Sequence, residues 1–164
     1  MADPVYHEKV QSSKTSLLFI ILAIIFAALF AWRASAVGFL FIPILYLFVG
    51  VFFFLYVLNY RSLTITISEN DIFLKFGIIQ WRTMLENIQS CELDDSPNII
   101  KYGGAGVHFA FVKRIYRAYF NFLEHPRVLI TFIKKQGPVQ ALVFTTRQPA
   151  EVIKIINSSK KHEE

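Results

Sequence analysis

Lys113-Arg114 and Arg117 are interleaved with Phe111, Tyr116, Tyr119 and Phe120, and no other stretch of the chain offers so much chemistry in so few residues. Guanidinium and ammonium groups hold phosphate or carboxylate oxygens through charge-assisted hydrogen bonds, while neighbouring rings supply apolar contact. Together with Lys101 and Arg127 they define a candidate contact set, Lys101, Lys113, Arg114, Tyr116, Arg117, Tyr119 and Arg127. Its partner would be an anionic lipid headgroup or an acidic protein face, and a solvated basic face is the competing reading. Nucleic-acid binders interleave the same residue types, but no recognised binding module accompanies them here, so no nucleic acid is expected.

Other chemistries find less support. Gly103-Gly104-Ala105-Gly106 invites a phosphate cradle, yet it lacks the Lys-Ser or Lys-Thr ending of a P-loop and precedes a strand, so a structural turn is favoured. His108 and His125 have no carboxylate at metal-ligand or catalytic spacing and read as a strand and a turn residue. Asp94-Asp95 reads as a solvated loop pair, and the single cysteine, Cys91, as a structural thiol. No catalytic residue, metal or cofactor is expected, and the chain is read as no enzyme.

Charge is unevenly distributed. From residue 61 to 100 three basic residues face six acids, a net of −3, whereas from 101 to 135 seven basic residues meet only Glu124, a net of +6; the whole chain carries +5. The elements that must position this basic half begin with two apolar runs. Between Lys14 and Arg61 the only charged residue is Arg33, which separates Thr15–Trp32 from Ala34–Tyr60. Each run is long enough to cross a bilayer, for which a helix needs roughly 20 mostly apolar residues. A cleavable signal peptide is the competing reading of the first run, but a signal core is shorter and a second apolar run follows at once.

The expected organisation is a cytoplasmic segment at 1–14, a transmembrane hairpin at 15–60 with helices near 15–32 and 38–59, a domain at 61–158, and a charged tail at 159–164. Ala34 to Gly38 would form the interhelical turn, and Pro43 suits a helix start. Ala23, Ala27, Ala28 and Ala31 give the first helix a thin side for packing. Trp32, Arg33, Tyr60 and Arg61 are the expected membrane-interface residues. Lys9, Lys14 and Arg61 flank one side against Arg33 on the other, which puts both termini and the domain in the cytoplasm of a multi-pass cell-membrane protein. Neither run contains an internal ionisable group, which argues against transport.

From Arg61 the apolar period changes to two. Leu63, Ile65 and Ile67 alternate with Thr64, Thr66 and Ser68, and a turn at Glu69-Asn70-Asp71 leads into Ile72–Phe76. Further strands are expected at 78–84, 89–93, 107–112, 116–122, 127–134 and 139–145, with Gln136-Gly137-Pro138 as a turn. Thr145 or Thr146 would cap a final helix whose stripe is Ala150, Val152, Ile153, Ile155 and Ile156. The expected fold is a membrane α-helical hairpin followed by a mainly-β domain of about seven antiparallel strands, a partly open barrel, with a C-terminal helix.

This order resembles the pleckstrin-homology-like fold, more narrowly the bacterial and archaeal domains of that kind joined to a pair of membrane helices. The resemblance rests on Leu63-Thr64-Ile65-Thr66-Ile67 through Phe73-Leu74-Lys75-Phe76-Gly77, on Ile88-Gln89-Ser90-Cys91-Glu92, on Tyr102-Gly103-Gly104-Ala105-Gly106-Val107, and on Pro149-Ala150-Glu151-Val152. The family often carries Trp where Ala105 stands and Arg where Val107-His108 stands. Eukaryotic relatives grip phosphoinositides between their first two strands, where this chain has Ser68-Glu69-Asn70-Asp71, whose carboxylates would repel such a headgroup. The resemblance implies a prokaryotic membrane scaffold or accessory subunit whose partners are the bilayer and another membrane protein or copies of itself. Anionic-lipid sensing or membrane shaping through residues 101–135 is the alternative.

Overall fold

The computed structural model describes residues 4–94 and 104–160. The order of elements among them is β1 (Tyr6–Gln11), α1 (Ser13–Val37), α2 (Phe41–Asn59), β2 (Ser62–Ile67), β3 (Asp71–Phe76), β4 (Ile79–Met84), a 3-10 turn (Leu85–Asn87), β5 (Ile88–Leu93), β6 (Gly106–Val112), β7 (Ile115–Asn121), β8 (Arg127–Gln136), β9 (Val139–Thr145) and α3 (Pro149–Lys160). They form two units, one of Ser12–Arg61 and one that joins the chain before Ser12 to the chain from Ser62 onward.

The helical unit is a hairpin of two helices long and apolar enough to cross a membrane. At about 1.5 Å per residue α1 extends about 37 Å and α2 about 28 Å, against a hydrocarbon layer of about 30 Å. Ser12 caps α1, its Oγ accepting the Thr15 N–H at 3.0 Å. Both helices differ in extent from the sequence expectation, 15–32 and 38–59. Ala34–Val37 remains helical and carries Arg33 within α1, so the reversal falls at Gly38–Leu40, where Gly38 has φ 73° and donates its N–H to the Ala34 carbonyl at 2.9 Å. Apolar, helix-compatible residues continue the helix until glycine supplies the left-handed exit. Pro43 lies in the first turn of α2, where its missing donor matters little. Rings hold the hairpin together: Phe19 stands 4.4 Å from Tyr56, and Phe26 stands 5.7 Å from Phe53. Gly50 lies against Ala23 and Ala27, two residues of the expected thin side.

The second unit contains nine strands among the described residues, in two sheets ordered β1-β2-β3-β4 and β5-β8-β9-β7-β6. The expectation of antiparallel pairing throughout is corrected at β7 and β9, which run parallel from Arg117↔Ala141 to Phe120↔Phe144. Between the sheets lie Leu63, Ile65, Ile72, Leu74 and Phe76 from one side and Phe120, Phe122, Ile130 and Phe144 from the other, all buried. Phe76 meets Phe122 edge-on at 5.0 Å, and Trp81 stacks on Phe132 at 6.5 Å. From α3, Val152 and Ile156 are buried, whereas Ala150 is exposed and Ile153 and Ile155 are half-buried.

Within the N-terminal segment expected at 1–14, Tyr6–Gln11 forms a strand of the domain. Tyr6 pairs with Ile67, and the ladder continues to Gln11 opposite Ser62. The helical hairpin is thus an insertion between two neighbouring antiparallel strands, which brings the residues on either side of it together. Tyr6, Glu8 and Val10 point inward, and Glu8 accepts the Thr146 hydroxyl at 2.6 Å and the Arg147 N–H at 3.0 Å. Tyr6 donates to Glu8 at 2.9 Å. Burial of Tyr6, reinforced by the Glu8 charge and opposed by the Thr146 bond, pushes its phenol from 10.0 up to about 12. An acid whose folded pKa is raised contributes stability below its unfolded pKa, and that contribution is lost as pH rises from about 10 to 12. Unfolding followed across this window is expected to show a steeper decline for the wild type than for Tyr6→Phe, which loses about 1 kcal/mol of hydrogen bonding at neutral pH. Equal slopes would show that the phenol is not held neutral by the fold.

The second unit has two distinct ends. At one, Gln11 and Ser62 lead to and from the helices; the His125 ring stands 3.2 Å from the Gln11 carbonyl, and Phe122 packs on Phe76 beside the β3–β4 turn. At the other, the β6–β7 turn (Lys113-Arg114) and the β8–β9 turn (Gly137-Pro138) lie together, since β7 and β9 are parallel and both start there. Gln136 binds the Thr83 hydroxyl at 2.6 Å at this same end. The seven residues of β7 run from one end to the other, about 20 Å at about 3.3 Å each.

Candidate functional site

The basic-aromatic stretch is divided by strand alternation. On β7, Tyr116 is half-buried at the surface, whereas Arg117, Tyr119 and Phe120 are buried. Arg127 on β8 is buried as well, so Arg117, Tyr119 and Arg127 are corrected from surface contacts to interior residues. Lys101 lies outside the described residues.

The interior residues share one face of the five-stranded sheet with Val112, Leu129, Ala141 and Val143. Asp94 joins them. Read from sequence as a solvated loop residue, it is 8% exposed, with its carboxylate 3.7 Å from Arg117 and 3.3 Å from Arg127. Two guanidiniums thus share one buried carboxylate. The Tyr119 hydroxyl lies in this field, and burial raises its pKa, with Asp94 assisting and the arginines opposing. His108 stacks flat on Tyr119 at 4.8 Å. Asn121 donates to the Gly104 carbonyl at 2.8 Å, a structural use for the glycine-rich segment; Asp95 and Gly103 lie outside the described residues.

Lys113, Arg114 and Tyr116 remain at the surface and belong to a larger assembly. Val112 pairs with Ile115, so Lys113 and Arg114 are the two central residues of the hairpin turn, both in the left-handed region at φ 51° and 68°. That geometry is a type I′ turn, which Asn-Gly or Gly-Gly adopts with little strain. Beside it Phe109 and Phe111 are 51% and 72% exposed. Tyr116 stands between them, 5.9 Å from Phe109 and 4.8 Å from Phe111. Behind the turn a groove of about 680 Å³ is lined by Phe111, Arg114, Tyr116, Lys135, Pro138 and Gln140. Lys135 also borders a second groove of about 390 Å³, with Met84, Glu86, Ile133 and Lys134.

Sequence reasoning missed Phe109, Ile133 and Lys135. The signal for Ile133 and Lys135 was the break in alternation at Ile133-Lys134-Lys135, where the register between β8 and β9 shifts between Thr131 and Gln136. Such an irregularity re-aims side chains outward, and Ile133 is 62% exposed. Among the described residues the surface therefore combines four cations, Lys113, Arg114, Lys134 and Lys135, with exposed aromatic and aliphatic side chains and one carboxylate, Glu86. Chemically it suits an acidic segment carrying apolar anchors.

The expected membrane-interface residues fall in the helical unit: Trp32 is exposed with the Arg33 guanidinium 5.7 Å from its ring centroid, the Tyr60 ring lies tilted 4.4 Å from that of Tyr56, and Arg61 is exposed. No family model, curated protein or solved structure matches the chain.

Proposed function

We propose that this chain is a non-enzymatic, membrane-anchored module of pleckstrin-homology-like kind that binds another membrane protein as a scaffold or accessory subunit. Its two helices cross the bilayer. The Gln11–Ser62 pairing supports a hairpin whose two ends lie on one side, and the excess of Lys9, Lys14 and Arg61 over Arg33 supports the cytoplasm as that side.

One observation carries the reading: exposed Phe109 and Phe111 flank a strained, doubly cationic turn at the end of the domain opposite Gln11 and Ser62. Left-handed non-glycine residues persist where function uses them. Exposed rings beside the cations favour a protein face with apolar and acidic groups over a lipid surface. Sensing of an anionic lipid surface by the same cations is the second reading, and one preparation separates the two.

Native membranes extracted into polymer nanodiscs, with the chain recovered by a C-terminal tag, are expected to yield a stoichiometric protein companion. Charge reversal of Lys113, Arg114 and Lys135 to Glu is expected to cut its recovery by about tenfold or more. Equal recovery from wild type and variant would overturn the surface assignment. Recovery of anionic lipid alone, lost in the variant, would establish the lipid reading instead.

A further inference from the structure

The opposite end of the domain carries its own exposed apolar groups. Phe76 pairs with Ile79, so the β3–β4 connection is the two-residue turn Gly77-Ile78. Gly77 has φ 61° while Ile78 does not share the left-handed conformation, the pattern of a type II′ hairpin with glycine first. Ile78 is thereby held at the apex, 76% exposed, a β-branched apolar residue where turns ordinarily carry polar ones. Leu123, after β7, is 36% exposed at this end, next to the Phe122 ring that packs on Phe76.

The register fixes the level of the apex. Leu63 is opposite Phe76, so Ser62 lies one step further, level with Gly77, and Ile78 stands at or beyond the point where the chain returns from the helices. Only Tyr60 and Arg61 separate the end of α2 from β2, a reach of at most about 10 Å. The headgroup layer on each side of the hydrocarbon is about 5 to 8 Å thick. Exposed Lys9 and Lys75 flank Thr64 in one cross-strand row, and Arg61 is exposed beside them; Glu124 and His125, both half-buried, are the titratable groups facing this end from the β7–β8 connection. Cations with an aliphatic tip suit an anionic headgroup boundary.

We infer that Ile78, with Leu123, inserts into the bilayer surface as a third membrane contact besides α1 and α2. The inference rests on the helices crossing the bilayer, one part of the proposed function, and it is independent of the partner.

The full chain, whose one native thiol, Cys91, is buried, accepts a nitroxide at Ile78→Cys, Ile24→Cys or Lys113→Cys. In nanodiscs of phosphatidylcholine and phosphatidylglycerol, the balance of oxygen against nickel-chelate accessibility reports depth. Position 24 is expected in hydrocarbon, position 78 at the headgroup–acyl boundary, and position 113 in water. Aqueous values at 78 with hydrocarbon values at 24 would overturn this inference alone. Aqueous values at 24 would overturn the membrane-spanning reading and this inference with it.

Discussion

Replacing Asp94 with Ala is expected to destabilise the domain by about 3–5 kcal/mol, because it removes a buried carboxylate that faces the buried Arg117 and Arg127 guanidiniums. A loss of that size removes a third or more of a typical domain's stability. Asp94→Asn keeps the shape and removes the charge, so it is expected to lose most of the same amount. Replacing all three residues, Asp94→Leu with Arg117→Met and Arg127→Leu, is expected to return stability close to wild type, since apolar groups of similar volume often replace buried ion clusters without penalty. Urea titration of the solubilised chain, followed by Trp81 fluorescence in a Trp32→Phe background, measures each difference. A change below about 1 kcal/mol for Asp94→Ala would mean that the arginines reach solvent and the cluster is a surface one.

The reverse sign is expected at the β6–β7 turn. Lys113 and Arg114 both occupy the left-handed region, which disfavours a side chain by about 1–2 kcal/mol per residue. Lys113→Asn with Arg114→Gly supplies the preferred pair for this turn and is expected to raise stability by about 1–2 kcal/mol in the same titration. The variant also removes two of the four cations from the proposed binding surface, so recovery of the companion protein is expected to fall while the fold strengthens. A turn retained for folding alone would lose stability on this change, and a merely solvated turn would gain stability with recovery unchanged.

Much of the architecture was legible because its signals are local. Leu63, Ile65 and Ile67 alternate within five residues, and the apolar runs on either side of Arg33 need no distant partner to be recognised. β1 was not legible: Tyr-His-Glu-Lys-Val-Gln is polar, and its partner strand starts beyond the helical insertion, so only pairing shows that Tyr6 and Val10 face a core. The parallel alignment of β7 with β9 was equally hidden, because β8 intervenes in sequence. At the candidate site the residue types pointed to the right hairpin but not to its faces. Arg117 and Arg127 looked like their neighbours Lys113 and Arg114 until alternation turned them inward toward Asp94, and Lys135 joined the surface through an irregularity whose one trace in the sequence is the break in alternation at Ile133-Lys134-Lys135.

On the proposed reading the β6–β7 turn and its flanking rings meet a protein. Site-specific photocrosslinking in native membranes tests it most directly, with a benzophenone side chain at Phe111 and, as a control, at His7, which is exposed on the outer face of the four-stranded sheet. Position 111 is expected to give one discrete protein adduct that disappears when Lys113 and Arg114 become Asn and Gly, and position 7 is expected to give none. Lipid adducts alone at position 111, or the same protein adduct from both positions, would contradict it.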